Sequence, residues 1–356
     1  MIFQPNNHSQ WKIQYRQADQ EKVEEAQRII ELFYDLKMDK ILTVEQVDEA
    51  EVNSNNFKIT TDNGIYLLRR YIGVKDVKTI ESTLKIIEEL SEKGVKVPQL
   101  VVSKNKQLFV VAGDNPYALF QFLPADHYKG TRAEIESAGR EIGKLDKALA
   151  ELPITSKQQR KLSFSTKIKE LRSYDLLVWQ KIFQEARHQQ KNNPKDQFHA
   201  EFLAKENFIL KAVSDIVKYK SSDVAWGVVH FDLHPHNLLA NGKEVIAIID
   251  FDSLHYLEKM RTLAFALHRM VRQYIVFNNL TDYKQAVSEA KDIFFNSYQN
   301  YCHIDEKELA MTNYFIQDEA LSRLTYAMKD NYFNNNQSWH QDLYKQTNHI
   351  AEAIYF

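Results

Sequence analysis

The span 228–253, VVHFDLHPHNLLANGKEVIAIIDFDS, constrains the fold more than any other part of this chain. It sets His230, Asp232, Asn237, Asp250 and Asp252 between two apolar runs. Val228 and Val229 enter a polar loop, and Leu238, Leu239 and Ala240 leave it with strand character. Asn241-Gly242 has the composition of a two-residue type I′ turn, after which 245–249 runs back. Such a hairpin returns Asp250 to the neighbourhood of Asp232 and Asn237. A carboxylate, an amide oxygen five residues on, and a second carboxylate after the return strand suit a hydroxyl and Mg²⁺ gathered around a triphosphate.

The remaining sequence divides into a strand-rich front and a helical back. Residues 18–36 carry Val23, Ala26, Ile29, Ile30 and Phe33 at helical spacing. Residues 57–61 and 65–71 flank Asp62-Asn63-Gly64, a second hairpin signal, and polar 48–56 before it reads as the loop between the first two strands. A helix over 77–93 aligns Ile80, Leu84, Ile87 and Leu90 on one face and stops before Gly94 and Pro98. Short strands follow at 100–103, 108–111 and 117–122, giving a first lobe of five strands and one inserted helix. Leu123-Pro124-Ala125 breaks the pattern as a hinge.

Beyond the hinge, Thr131 with Glu134 three residues on has the form of a capping box, opening a helix that carries Ile135, Ala138, Ile142, Leu145 and Leu149. Helical periods recur over 165–185, 198–219, 258–277, 283–298, 306–328 and 338–354, with polar 188–196 as a loop. Strands first, helices second and one hairpin among the helices imply an α+β bilobal architecture, with lobes over 1–122 and 123–356.

HFDLHPHNLL followed by IIDFDS resembles the catalytic loop and metal-binding segment of the aminoglycoside phosphotransferase/choline kinase superfamily, which has the protein-kinase-like fold. The resemblance implies that the first lobe binds ATP and the second holds a small-molecule acceptor. It implies a catalytic Asp at Asp232 and Mg²⁺ ligands at Asn237 and Asp250. Gln121, Phe122 and Leu123 fall at the hinge beside the nucleotide, and Arg69 at the strand position of the phosphate-binding cation, with Arg70 the alternative. On a strand these neighbours face opposite ways, so only one serves. IDFDS, NSNNFKI with GIYLLRRY, and DEALSRLTYAMKDNYF are similar to N-acetylhexosamine 1-kinase relatives. That similarity implies an amino-sugar acceptor with substrate contacts at Asp252, Glu319 and Arg323.

Departures from the family pattern are specific. The loop before Phe57 is Asn53-Ser54-Asn55-Asn56, without glycine, in a chain that has only nine glycines. Glu81 is the candidate acid partner for the strand cation, though in poor register, and Thr262-Leu263-Ala264 stands where the family often has Asp-Leu-Ala. Glu319 and Arg323, one helical turn apart, also fit an exposed ion pair.

Bulk properties narrow the alternatives. A net charge of −2 gives no nucleic-acid footprint, and one cysteine, Cys302, leaves no internal disulfide framework. No run reaches membrane-span length and the start lacks a signal-peptide pattern, so a cytoplasmic protein with nucleotide and small-molecule partners is expected. Three rivals stand beside the sugar kinase. One is a kinase of choline, homoserine or aminoglycosides; another is a kinase-like nucleotide-binding protein with weak catalysis. The third is a metallohydrolase using His230, His234 and His236, although Pro235 spreads those side chains.

Overall fold

Alternation along the strands builds the first lobe on two faces. In a computed structural model, which describes residues 3, 12–36, 40–47, 54–72, 76–217, 224–336, 338 and 340–356, the strands are β1 (Tyr15–Gln17), β2 (Ile41–Val47), β3 (Ser54–Thr61), β4 (Gly64–Tyr71), β5 (Leu100–Val101), β6 (Val110–Ala112) and β7 (Asn115–Gln121). They form one antiparallel seven-stranded sheet, in the order β1-β2-β3-β4-β7-β5 with β6 also on β7. Two of them, β1 and β2, go beyond the five expected strands.

Tyr117 and Leu119 pack with Ile29 and Ile30 of helix α1 (Gln20–Phe33) on one face. Ala118 and Phe120 join Ile80, Leu84 and Leu90 of helix α2 (Val77–Glu92) on the other, in a core that continues into the second lobe. The same alternation sorts β4. Leu68 faces α1, and Arg70 pairs with Glu25 of α1 at 3.1 Å. Leu67, Arg69 and Tyr71 face the groove between the lobes.

The second lobe is mainly helical: α3 (Arg132–Ala150), α4 (Ser156–Leu162), α5 (Thr166–Arg172), α6 (Leu176–Asn192), α7 (Gln197–Ala204), α8 (Glu206–Val217), α9 (Lys259–Phe277), α10 (Tyr283–Tyr298), α11 (Glu306–Leu309), α12 (Thr312–Asn334) and α13 (His340–Glu352). The Thr131–Glu134 capping box is formed. Helix α9 is buried nearly all round, polar Thr262, His268, Arg272 and Gln273 included, and runs through the core. Gly139 and Gly143 let α3 and α10 touch backbone to backbone; a Cβ on Gly139 would lie 2.2 Å from the Phe294 carbonyl oxygen.

Two small sheets carry the polar span. β9 (Trp226–His230) pairs with β12 (Leu254–Glu258), while β10 (Leu238–Ala240) lies between β11 (Val245–Ile248) and β8 (Asp126–His127). The hairpin exists, but not with a two-residue I′ turn. Ala240 opposes Val245, so residues 241–244 form the loop, and only Gly242 has positive φ there. Asn241 instead accepts the backbone N–H groups of Lys243 and Glu244 on its side chain, a local competitor to the I′ geometry.

Competing caps break several expected helices. Asp175 caps α6 through the Val178 N–H, which splits 165–185 after Arg172. Helix α6 then continues to Asn192, so most of the expected 188–196 loop is helical. Residues 198–217 divide at Lys205, and 306–328 divides between α11 and α12. Residues 48–53, 218–219 and 339, which fall within expected elements, lie outside the described residues.

Candidate active site

Local packing fixes the loop after β9. Phe231 and Leu233 are buried on either side of Asp232, whose side chain stays 32% exposed and so reachable by a ligand. His230 is fully buried, and its Nε2 lies 2.9 Å from the Ile249 carbonyl, consistent with holding the loop to the return strand. Burial pushes its imidazole below the ordinary value. Asn237 donates its side-chain amide to the Asp232 carbonyl at 2.8 Å, and its own carbonyl accepts from the Ile249 N–H at 3.0 Å. With its NH₂ end committed, Asn237 keeps its amide oxygen as a ligand atom. Asp250 follows in the left-handed region, at φ 66° and ψ 50°, a conformation that non-glycine residues hold at a cost and often at functional sites.

Across the groove, Arg69 Nη2 lies 2.7 Å from Asp252 Oδ2 and 3.7 Å from Asp250 Oδ1. Burial raises the Asp252 carboxyl, Arg69 opposes that, and Asp250 adds to the rise. The cation therefore meets acids of the other lobe. Glu81 pairs with Lys85 on the surface instead, since its position on α2 points it to solvent. Asn55 and Asn56, expected in a phosphate loop, belong to β3 and oppose Arg70 and Arg69. Asn53 lies outside the described residues. Thr262 is buried and returns its hydroxyl to the Glu258 carbonyl of its own helix, so it does not replace the missing acid.

The groove is apolar inside and charged at its mouth. Tyr15, Leu67 and Phe120 from the sheet and Leu239 and Ile249 from the hairpin line it, with Gln121, Phe122 and Leu123 along one edge. Arg69, Asn56, Asp250 and Asp252 are also in its wall. A flat aromatic base fits such walls, and polyphosphate fits the charged end.

Asp232 belongs to a second charged group. Its carboxylate lies 3.3 Å from His234 Nε2 and 3.5 Å from Arg323 Nη1. Burial works to raise this carboxyl, but His234, Arg323 and His230 outweigh it and hold it well below the usual range. Arg323 donates to Glu319 at 2.7 Å, Arg172 Nη2 donates to both Glu319 oxygens at 2.7 and 2.6 Å, and Arg261 donates at 3.3 Å. Arg323 stacks over Phe231 and Phe265. The expected exposed pair is thus a buried ion network, with Glu319 only 2% exposed, because α5 and α9 close over α12. Sequence spacing gave no access to Arg172 and Arg261, which arrive from other helices.

The donor set suits a hard cation. Asn237 and Asp250 offer oxygen atoms, as Mg²⁺ requires. His230 Nε2 is occupied by the Ile249 carbonyl and His234 by Asp232. The only His/Cys/Asp/Glu group with metal-ligand spacing among the described residues is His268, His349 and Glu352, so the three loop histidines do not form a hydrolytic metal centre.

This chain belongs to the phosphotransferase enzyme family, whose sequence pattern matches residues 44–258, more than half of its length. It is similar to the homoserine kinase of Zymomonas mobilis, 26% identical over 234 residues, and the match spans 64% of each chain. The other curated relatives, 22 to 26% identical, carry the same name. Among solved structures, a spectinomycin phosphotransferase in complex with ADP and spectinomycin has a TM-score of 0.65 at 18% identity, covering 93% of this chain and 97% of that one. An amicoumacin kinase in complex with AMP-PNP and Ca²⁺ has a TM-score of 0.62 at 14% identity, covering 94% and 93%. These likenesses give the fold, a β-rich lobe and a mainly helical lobe of the protein-kinase-like kind. No helix among the described residues is long and apolar enough to cross a membrane.

Proposed function

We propose that this chain is a cytoplasmic, Mg²⁺- and ATP-dependent kinase that transfers the γ-phosphate to the hydroxyl of a small alcohol. The observation that carries this reading is the convergence of Asp232, Asn237 and Asp250 from one hairpin with Arg69 of the opposite lobe. Residues 1–122 are the nucleotide lobe and 123–356 the acceptor lobe. The base lies between Leu67 and Leu239, with Gln121, Phe122 and Leu123 along its edge.

Phosphoryl transfer through a loose transition state depends mainly on positioning and charge neutralisation. Asn237 and Asp250 would hold Mg²⁺, which would neutralise phosphate charge. Arg69 exchanges its contact with Asp252 for phosphate oxygens, which a guanidinium fork binds well. Asp232, kept ionised by its neighbours, accepts a hydrogen bond from the acceptor hydroxyl and takes its proton as the new P–O bond forms and the bond from the γ-phosphorus to the β–γ bridging oxygen breaks, leaving ADP. Arg323 orients Asp232. Glu319, enclosed by three arginines, acts through Arg323 rather than on the acceptor itself. Asp252 remains beside the metal and phosphate end of the groove.

For the acceptor, the names of the curated relatives favour homoserine over an N-acetylhexosamine. ADP release from the full chain with ATP and Mg²⁺ tests both, using L-homoserine, choline, aminoglycosides, free hexoses and N-acetylhexosamines. Turnover is expected on L-homoserine and not on the sugars. Turnover on N-acetylhexosamines alone would move the acceptor to the sugar class, and absence of ATP binding would contradict the kinase reading.

A further inference from the structure

Three helices bring cations near Asp232, none of them in the lining of the nucleotide groove. Helix α12 supplies Arg323, 3.5 Å from Asp232 and stacked over Phe265 at 4.3 Å from its ring centre. One turn after Phe265, α9 supplies Arg269, whose Nη1 lies 2.7 Å from His349 Nε2. One turn before His349, α13 supplies Lys345, whose side chain is exposed. The i,i+4 spacing on α9 and α13 thus sets Arg269, Arg323 and Lys345 into one wall.

Charge in this wall is unevenly balanced. Glu319 is shared by Arg172, Arg261 and Arg323, and Glu352 is shared by His268 at 2.8 Å and Arg272 at 3.2 Å. Among the described residues no carboxylate comes within direct ion-pair reach of Arg269 or Lys345; Glu352 and Asp232 act on the first, and Asp342 and Asp232 on the second, from farther off. Burial, followed by the charges of Arg272 and Arg323, pulls the Arg269 guanidinium down to about 10. Like charges crowded in this way destabilise one another, and a bound anion relieves them. His268, His349 and Glu352 have the spacing of metal ligands, but Arg269 already occupies His349 Nε2 and Arg272 occupies Glu352, so cations hold the atoms a metal would need.

We infer that the acceptor carries a carboxylate, bound by Arg269 and Lys345 while its hydroxyl meets Asp232. This rests on the kinase reading and adds a recognition element that the relatives' names do not supply. A guanidinium and an ammonium together bind a carboxylate strongly, and the same wall repels a cationic acceptor such as choline or an aminoglycoside.

A matched set of acceptors isolates the carboxylate. L-Homoserine has both charged groups, 4-hydroxybutyrate lacks the amine, and 3-amino-1-propanol lacks the carboxylate. The expected result is that both carboxylates exceed 3-amino-1-propanol in kcat/KM. Arg269→Gln and Lys345→Gln should each raise KM for the carboxylates about 10- to 100-fold, with kcat within a few-fold and 3-amino-1-propanol unaffected. Lys345 is exposed, so its variant keeps the fold even if that of Arg269 does not. Preference for 3-amino-1-propanol, or an equal loss on all three acceptors, overturns the inference. Calorimetric titration of the AMP-PNP complex with 4-hydroxybutyrate and 3-amino-1-propanol covers the case of no turnover. Carboxylate binding lost in Lys345→Gln supports the inference; amine binding, or binding of neither, overturns it. Absence of AMP-PNP binding contradicts the kinase reading instead.

Discussion

Arg69 of β4 and Asp252, at the end of the hairpin, meet at 2.7 Å across the mouth of the groove between the lobes. They are 183 residues apart in sequence. A cation suited to phosphate is therefore held by acids of the opposite lobe, with Asp250 3.7 Å away. On the proposed reading, a bound nucleotide would take Arg69 from these acids onto its phosphates.

Removing that cation should weaken nucleotide binding more than it harms the fold. Arg69→Gln is expected to raise KM for ATP about 10- to 100-fold, because a charge-assisted bidentate contact is lost. Arg69→Lys should recover part of it, since a point charge remains without the fork. Steady-state kinetics with ATP varied, alongside a melting curve, separates the two effects. An unchanged KM in both variants would remove Arg69 from the phosphate site.

Glu319 should matter through stability as well as activity. Arg172, Arg323 and Arg261 overcome the upward push of burial and hold its carboxyl down to about 2. A depressed folded value stabilises the fold above the unfolded value of about 4.3, and the stabilisation is lost as pH falls through about 2. Glu319→Gln leaves three arginines facing a neutral amide, a loss of about 3 to 5 kcal/mol near neutral pH. Urea denaturation should reveal that gap at neutral pH, narrowing below about pH 4.

Asp146 has the opposite sign. Burial raises its carboxyl to about 6, against the hydrogen bond that Tyr298 donates at 2.7 Å. A raised folded value favours the fold below the unfolded value of about 3.9, and that contribution is lost as pH rises through about 6. Asp146→Asn keeps an acceptor for Tyr298 and should stabilise the chain by about 1 to 2 kcal/mol near pH 7. Melting temperatures across the pH range should converge near pH 4. A variant less stable than the parent at neutral pH would contradict the assignment.

Gly139 tests the close approach of α3 to α10. The Cβ of Gly139→Ala would stand 2.2 Å from a backbone oxygen, so the helices must separate. Despite the better helix propensity of alanine, the variant should lose more than about 2 kcal/mol, read from denaturant midpoints. No loss would mean that the helices are not packed so tightly.

What was legible in the sequence depended on range. Asp232, Asn237 and Asp250 lie within one hairpin, so spacing and turn composition gathered them, and the Thr131–Glu134 cap was readable because capping is local. Alternation on β4 stated that Arg69 and Arg70 diverge but not which one faces the groove; that was decided by α1, whose Glu25 takes Arg70. The acid partner of Arg69 was sought on α2 at Glu81, whereas Asp252 supplies it through lobe packing that no local pattern encodes. Glu319 and Arg323 were visible as a pair. Their burial depends on Arg172 and Arg261, from helices whose association cannot be read from one chain. The I′ turn misled because Asn241 has a second option, capping its own loop.

The central claim is that Asp232 is the group that activates an acceptor hydroxyl. It is tested most directly by ADP release from Asp232→Asn beside the parent chain, with ATP, Mg²⁺ and L-homoserine, and by calorimetric ATP binding to both. The account predicts a fall in kcat of at least about 10²- to 10⁴-fold with ATP affinity nearly unchanged. Parent-like turnover by a fully folded Asp232→Asn chain would contradict it.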